Sequence, residues 1–469
     1  MADTIAAIST APGEGGIGIV RVSGPQSEAL MRRLMLDCPE EIQPRHAYFG
    51  KIVNDSSAKK AEIIDEGIFL HMKAPASYTG EDMLEIQGHG SNVSLKAILS
   101  AVLGSGLPDV RMADPGEFTK LAFLNGKMDL SQAEAVIDII RAKSDLSLEI
   151  AEGQRAGRLS DSIREIREAL LDVLAQMAVD IDYPDEDYDD EEGAYRDVIN
   201  QLRWVHADVE DLLDTVHIGR IAREGVRAVI VGKPNAGKSS LMNAILGEGR
   251  VIVTDVPGTT RDTVEENASM DGIPIVLVDT AGLRDSDDKV EKIGIERTTR
   301  EIAGADLVIL VLDGSQSLDA DDSKVISFLE KMNTENVLVV INKEDLGRSV
   351  SEEAVLERLP GVRIISTSLV GKGAVEAARK VSEAVAEMYD LSSINAKETN
   401  IVTNERHVHL LRKASLDIDE AISMLRNGEP LEVAELSAHY AYESLGKIIG
   451  EEVGEEILDT VFSKFCLGK

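Results

Sequence analysis

Apolar residues along this chain change their period several times, and each change marks a different kind of element. Between residues 1 and 118, short runs such as "GIGIVRVSGP", "EGIFLHMKAP" and "DMLEIQGHG" are cut by Gly and Pro turns. Strand-like runs broken by turn formers predict a small α/β domain. Over 119–220 the period lengthens. "LSQAEAVIDIIRAKSDLSLEIAEGQ", "SIREIREALLDVLAQMAVDID" and "YRDVINQLRWVHADVEDLLDTV" repeat apolar residues at three and four, as amphipathic helices do. Over 221–382 the runs "VRAVIVG", "IPIVLVD", "DLVILVLD", "VLVVIN" and "VRIIST" are almost continuously apolar. Parallel strands buried on both faces read this way. Over 383–469 the helical texture returns in "ERHVHLLRKASLDIDEAISMLR" and "ELSAHYAYESLGKIIGE". Helices on both sides of an α/β module predict that the module is inserted into one helical domain. The fold class expected is therefore multidomain, α/β plus α.

Composition narrows the setting. Of 469 residues, 43% are hydrophobic and only 3% aromatic, so the cores rest on Leu, Ile, Val, Ala and Met. No apolar run approaches the ~20 residues that span a bilayer, and "MADTIAAIST" lacks the basic start and long apolar stretch of a secretory signal. With only Cys38 and Cys466, a disulfide framework is excluded and a reducing cytoplasm is expected. The formal net charge of −35 is a poor match for phosphates. A nucleic-acid partner would have to meet a local basic patch or come through another subunit. Many acids sit in "DYPDEDYDDEEGAYRD", Asp182 to Asp197, which reads as a solvated loop because no metal-ligand spacing recurs in it.

The chemistry concentrates after "VRAVIVG". The next residues, "GKPNAGKSS", fit G-x-x-x-x-G-K-[ST] with Gly232, Gly237, Lys238 and Ser239. Glycines let the backbone curl so that N–H groups surround phosphate oxygens at a helix N-terminus. Nucleotide contacts are expected from Asn235, Ala236, Gly237, Lys238, Ser239 and Ser240. Lys238 is expected to reach the β- and γ-phosphates as a catalytic cation, and the Ser239 hydroxyl to bind Mg²⁺. Further elements follow in order. "DVPGTTRD" offers Thr259 and Thr260, and "LVDTAG" ends a strand with Asp279 before Thr280, Ala281 and Gly282. "INKED" ends another strand with Asn342, Lys343 and Asp345. Asp345 decides the base, because a carboxylate can accept from both guanine N1–H and its exocyclic NH₂. Adenine would leave that carboxylate poorly paired. The Lys343 stem is expected to cover the base face, and the Ser368 backbone N–H in "STSLVGKG" to meet guanine O6. The ordered set predicts a GTP-binding domain. Ras-like GTPases carry a water-orienting Gln directly after the glycine of the strand-end motif. Here that position is Leu283, so either hydrolysis uses another carboxylate and another positive charge, or the protein is a slow switch.

"GKPNAGKSSLMNAIL", "TDVPGTTRD", "DTAGLRDSDDKVEKIGIER" and "NKED" resemble the MnmE (TrmE) tRNA-modification GTPases. So do "DTIAAISTAPGEGGIGIVRVSG", "SYTGEDMLEIQGHG", "PGEFTKLAFLNGKMDLSQAEAV" and the final "FCLGK", which other GTPases lack. The resemblance spans nearly the whole chain and is weakest around 320–335 and 345–400. It implies a tetrahydrofolate-binding-like domain over 1–118, a helical domain in two parts, 119–220 and 383–469, and an inserted Ras-like P-loop GTPase domain over 221–382. It also implies that Asn235 and backbone carbonyls of the loop Thr254-Asp255-Val256-Pro257-Gly258-Thr259, with Thr254, Val256 and Thr259 as ligands, hold K⁺ beside the phosphates. There K⁺ would stand where an arginine finger acts elsewhere. Thr260 matches the second protein ligand to Mg²⁺, and Glu291 the catalytic acid, which acts on the water through a bridging water. The potassium loop is implied to order when two G domains of a homodimer meet.

In the first domain the family's contacts to a 5-formyl- or methylene-tetrahydrofolate fall on Arg21, Glu85 and Lys127, with Lys469 from the final motif. His89 in "QGHGS" is expected to be structural. Cys466-Leu467-Gly468-Lys469 has the outline of a lipidation box, but Gly468 and Lys469 fit one badly. The resemblance instead places Cys466 near the folate site, with its role as a nucleophile open. Leu467 stands where the family usually has Ile, and Ser368 where it usually has Ala. The implied protein is a cytoplasmic, K⁺-stimulated GTPase without membrane association. With an FAD-dependent partner, MnmG (GidA), it would form the aminomethyl or carboxymethylaminomethyl group at C5 of the wobble uridine of certain tRNAs. A ribosome-assembly GTPase would share the nucleotide motifs, but would be expected to carry a basic RNA-binding domain.

Overall fold

The computed structural model describes residues 3–57, 61–182, 195–249, 265–279, 301–332, 336–389 and 399–469. The chain forms two compact units, Met1–Ile137 with Leu445–Lys469, and Asp138–Ser444.

The first unit is built on a six-stranded sheet in the order β3-β4-β5-β2-β1-β6. Its strands are β1 (Thr4–Ile8), β2 (Gly15–Ser23), β3 (Ala47–Val53), β4 (Ile63–Met72), β5 (Met83–Gly90) and β6 (Val110–Met112). Only β1 and β6 run parallel; the other neighbours are antiparallel. Helices Ser27–Leu34 and Asn92–Leu103 supply Leu30, Met31, Leu34, Ile98 and Val102 to a core with Val20, Val22, Phe69, Leu84 and Ile86. Because side chains alternate along a strand, burying Val20, Val22, Leu84 and Ile86 on that face turns Arg21 and Glu85 to the other. Ser91 starts the second of these helices by accepting from the Ser94 N–H, which satisfies an otherwise orphan donor.

A second core in this unit joins residues far apart in sequence. Leu130, Ala133 and Ile137 pack with Leu458, Val461, Phe462 and Phe465. Gly116, at φ 72°, lets the two segments touch, since a Cβ there would lie 2.5 Å from the Phe462 carbonyl oxygen. Lys120 Nζ adds an ion pair to Asp459 at 2.6 Å. Residues 383–469, alike in texture, therefore divide. Glu405–Arg426 lies in the second unit, whereas everything from Leu445 onward packs with the first, because its aromatic residues fill this core.

The second unit combines long helices with a six-stranded sheet in the order β12-β11-β10-β7-β9-β8. Its strands are β7 (Val226–Val231), β8 (Glu265–Met270), β9 (Ile273–Asp279), β10 (Leu307–Asp313), β11 (Val337–Asn342) and β12 (Arg363–Ser366). Every pairing is parallel except β8 with β9. β10 and β11 are buried throughout, as their unbroken apolar sequence predicts. Leu241 and Ile245 of helix Lys238–Gly249 and Val381 and Val385 of helix Gly373–Tyr389 belong to the core of one face. Ile326, Leu329 and Val355 belong to that of the other. β8 has no apolar run and was not expected from the sequence. It forms because Asp271-Gly272, at φ 48° and 84°, makes a two-residue turn that folds it back on β9.

In the helical part, Arg196–Asp214 packs against Arg158–Asp182 and Glu405–Arg426. Its buried residues, Val198, Leu202, Val205, Val209 and Leu212, alternate spacings of four and three. His407, Leu411, Ala414, Ile418, Ala421 and Leu425 do the same on the opposing helix. That alternation keeps each apolar seam facing its neighbour when helices cross at a small angle. Among the described residues no helix is long and apolar enough to cross a membrane.

Candidate functional site

The phosphate-loop motif lies between β7 and helix Lys238–Gly249 and turns as its composition requires. Gly232 (φ 146°), Asn235 (φ 62°) and Gly237 (φ 114°) occupy the left side of the backbone map. Glycine enters that region freely, and Asn tolerates it better than most residues. At Gly232 a Cβ would meet the Val311 oxygen at 2.3 Å, and at Gly237 the Asn342 Nδ2 at 2.2 Å. The curl thus ends at the N-terminus of a helix of more than three turns, whose N–H groups and dipole favour an anion. Lys238 is buried, and its Nζ donates to the Lys233 carbonyl oxygen at 2.9 Å, which holds the ammonium across the mouth of the loop. Asn235, Ser239 and Ser240 are exposed, whereas Ala236 is buried. Lys233 pairs with Asp319 and Asp322 at 3.0 and 2.9 Å, tying the loop to the start of helix Ala320–Met332.

The ends of neighbouring strands build the base side. Asn342, 3% exposed, closes β11. Its Nδ2 donates to the Ala236 oxygen at 2.8 Å and its Oδ1 accepts from the Leu369 N–H at 3.2 Å. One side chain therefore joins the phosphate loop to the segment after β12. Leaving one partner of the buried Nδ2–Ala236 bond unpaired would cost about 1–3 kcal/mol. Lys343, at φ 66°, donates from Nζ to Asp313 Oδ2 at 2.6 Å. Burial alone would raise the Asp313 pKa, but hydrogen bonds from Lys343 and Ser315 outweigh it and the carboxyl stays below its ordinary value. Asp345 is exposed, and the Ser368 hydroxyl donates to its Oδ1 at 2.6 Å. Sequence reasoning expected only the Ser368 backbone to act. It also missed Asp313, although Asp313 ends β10 directly beside Asn342 in the parallel register.

A second cluster lies in the first unit, on the sheet face that the two core helices leave open. Arg21 and Glu85 are register partners on β2 and β5. Arg21 Nε and Nη2 both reach Glu85 Oε1, at 3.1 and 2.9 Å, with the side chains only 15% and 14% exposed. The guanidinium lies 5.6 Å from the Tyr78 ring centre and 5.8 Å from that of Phe118, within cation–π range. Arg21 Nη1 also reaches the Gly468 oxygen at 3.4 Å. Lys469 is half-buried beside them; burial pushes its pKa down, and the Arg21 cation adds to this. Lys127 does not join the cluster directly. It is exposed, and its Nζ donates to the Pro75 oxygen at 3.1 Å, on the loop that carries Tyr78. Cys466 is a free, exposed thiol.

Near the end of β5, Asp65 accepts from Ser94 Oγ at 2.5 Å and from the His89 N–H at 2.9 Å, and lies 2.6 Å from His89 Nδ1. Burial would raise its pKa, but these bonds lower it to about 2. The bond to Asp65 raises that of His89, whose ring is largely exposed.

Several expected residues lie outside the described ones: Thr254, Asp255, Val256, Pro257, Gly258, Thr259, Thr260, Thr280, Ala281, Gly282, Leu283 and Glu291. The acidic stretch 183–194 does too, while Asp279 closes β9.

Two family models match this chain. One, described as "MnmE helical domain", covers residues 130–466. The other, described as "GTP-binding protein TrmE N-terminus", covers 4–127. The tRNA modification GTPase MnmE of Clostridioides difficile (strain 630) is 44% identical over 471 residues, covering 100% of this chain and 99% of that protein. The protein of the same name from Geobacillus kaustophilus (strain HTA426) is 42% identical over 472 residues, with the same coverage. Among solved structures, the G domain of the T. maritima FeoB iron transporter is 27% identical, covering 34% of this chain and 98% of that one, with a TM-score of 0.26.

Proposed function

The chain belongs to the MnmE family of tRNA modification GTPases, and from that premise we propose how its two clusters share the work. It is a GTP hydrolase of tRNA modification. The nucleotide site lies in the second unit, with phosphates on Asn235 to Ser240 and guanine on Asn342, Lys343, Asp345 and Ser368. The observation that carries this reading is the pair of hydrogen bonds made by the Asn342 side chain, one donated to the Ala236 oxygen and one accepted from the Leu369 N–H, which couples the phosphate loop to the base-reading segment.

Lys238 neutralises charge on the β- and γ-phosphates once a nucleotide replaces the Lys233 oxygen as its partner. Asp345 keeps its free carboxylate oxygen for the guanine N–H edge, while the Ser368 hydroxyl fixes its rotamer. The exposed Ser239 hydroxyl, at the first turn of the helix, suits Mg²⁺ as a hard oxygen ligand. Thr260 completes the protein's share of that site. The exposed Asn235 amide oxygen, presented by a left-handed backbone, suits K⁺ together with Thr254, Val256 and Thr259. These cations supply positive charge where negative charge builds up in phosphoryl transfer. Glu291 orients the attacking water through a second water, in place of the Gln that Leu283 replaces.

The first unit takes a 5-formyl- or methylene-tetrahydrofolate. Arg21, Lys469 and Lys127 suit its carboxylates, and Glu85 Oε2, left out of the Arg21 pair, suits the pterin's N–H edge. The residues fit the group: two cations and a carboxylate are gathered, partly buried, beside aromatic rings. When bound, the folate would supply a one-carbon unit, and with the FAD-dependent MnmG partner the protein would form the aminomethyl or carboxymethylaminomethyl group at C5 of a tRNA wobble uridine. It acts in the cytoplasm as a homodimer. GTP hydrolysis opens and closes the G domains rather than entering the modification chemistry.

The test is GTP turnover in K⁺ against Na⁺. Turnover should be at least tenfold faster in K⁺, and Glu291→Ala should abolish it while sparing GTP binding. Equal rates in the two salts, or full turnover in the variant, would overturn the catalytic part of this reading.

A further inference from the structure

The Cys466–Lys469 segment does not rest on the folate cluster through charge. Lys469 is half-buried next to another cation, Arg21, and both burial and that cation act against its ammonium. The Glu85 carboxylate offsets this only in part, because burial and the Arg21 cation together outweigh it. A lysine with four rotatable bonds would leave such a place for solvent unless its backbone were held.

Two features hold it. The Gly468 oxygen accepts from Ser9 Oγ at 3.0 Å and, at the outer limit, from Arg21 Nη1 at 3.4 Å. Gly468 itself, at φ 93°, runs so close to the end of β1 that a Cβ would lie 2.4 Å from the Ile8 oxygen and 2.9 Å from the Ser9 Cα. A side chain is therefore excluded twice, by conformation and by space. The Lys469 N–H then closes a turn onto the Cys466 oxygen at 3.3 Å. None of this is visible from sequence spacing, because Ser9 and Gly468 stand 459 positions apart.

We infer that Ser9 and Gly468 are positioning residues of the folate site: together they clip the Cys466–Lys469 turn to the end of β1, so that Lys469 is set beside Arg21 and Glu85 before an anionic ligand arrives. Holding two cations together in advance moves their repulsion and the ordering of the turn into folding. The ligand's carboxylate then meets a receptor that needs no rearrangement. The inference rests on the folate reading of this cluster.

The experiment uses the full-length chain and two readouts. The first is 5-formyltetrahydrofolate affinity, by calorimetry, for wild type, Ser9→Ala, Ser9→Thr, Gly468→Ala, Lys469→Ala and the Ser9→Ala/Lys469→Ala double variant. Ser9→Ala should weaken binding about fivefold, the loss of one neutral hydrogen bond. Gly468→Ala should weaken it tenfold or more, and Ser9→Thr, which keeps the hydroxyl, should restore binding to within about twofold. In the Lys469→Ala background Ser9→Ala should add almost nothing, because both changes act through one ammonium. The second readout is hydrogen exchange of the peptide spanning 463–469 without ligand. Exchange should quicken in Ser9→Ala and Gly468→Ala but not in Ser9→Thr. If wild type binds no folate, the folate reading fails, and unchanged exchange in Ser9→Ala overturns the clip on its own. Additive effects of Ser9→Ala and Lys469→Ala on affinity would also overturn it, by showing that Ser9 does not act through Lys469.

Discussion

The nucleotide site and the Arg21 cluster are assembled in opposite ways. The phosphate loop is one short stretch of chain whose shape is written in its own glycines, and β11 delivers Asn342 to it across a neighbouring strand end. The Arg21 cluster draws on β2, β5, the loop at Tyr78, a helix at Phe118 and the segment at Gly468, which meet only after the whole unit has folded. The first kind of site depends on backbone geometry and fails abruptly. The second depends on side chains that each contribute a little, and fails by degrees.

The sharpest way to break this comparison is Gly237→Val. Its left-handed φ and the 2.2 Å approach of Asn342 Nδ2 leave no room for a side chain. GTP affinity should fall at least a hundredfold in a filter-binding or fluorescence assay. A loss under tenfold would show that the loop does not depend on that geometry.

The first unit also shows graded behaviour in its response to acid. The Asp65 pKa is depressed to about 2 in the folded chain, against an ordinary value near 4. Its hydrogen bonds to Ser94 and His89 therefore stabilise the fold fully above pH ~4, and that contribution is lost as pH falls toward 2. Between those limits, wild type should lose about 1–2 kcal/mol of stability relative to Asp65→Asn, allowing for solvent screening. Parallel denaturation curves for the two proteins across that window would contradict it.

The smallest effect is expected at Ser368, whose side-chain bond only orients Asp345. Ser368→Ala removes the 2.6 Å bond to Asp345 and should weaken GTP binding about two- to fivefold. No change at all would mean that Asp345 keeps its orientation without it.

The same contrast explains what the sequence made legible. β7, β9, β10 and β11 could be read because buried strands need unbroken apolar runs, and Gly232, Gly237, Lys238 and Asn342 because their motif is local; β12, read the same way, is a partly exposed edge strand. β8 is hard to read although Asp271-Gly272 is a hairpin signal, because "EENASM" offers only Ala268 and Met270 to the core and no apolar run. Arg21, Glu85 and Lys469 came from family resemblance; nothing in their own neighbourhoods distinguishes them from surface charges. Ser9 and Gly468 carried no signal, since a clip across 459 positions has no period, spacing or composition. The association of the last residues with the first unit was signalled only by family resemblance, at Cys466 and Lys469; the core packing of Leu458, Val461, Phe462 and Phe465 there was not. A helix displays its apolar stripe in sequence, but not which neighbour will cover it.

The central claim is that the second unit reads guanine through Asp345, and one substitution tests it. In Asp345→Asn the carboxylate acceptor becomes an amide that donates, matching the C2 carbonyl of xanthine in place of the guanine NH₂. Affinities for GTP and for xanthosine triphosphate should be measured side by side in wild type and variant. GTP binding should fall about a hundredfold while xanthosine triphosphate binding rises by a similar factor. A variant that keeps wild-type GTP affinity and gains nothing for xanthosine triphosphate would contradict the account.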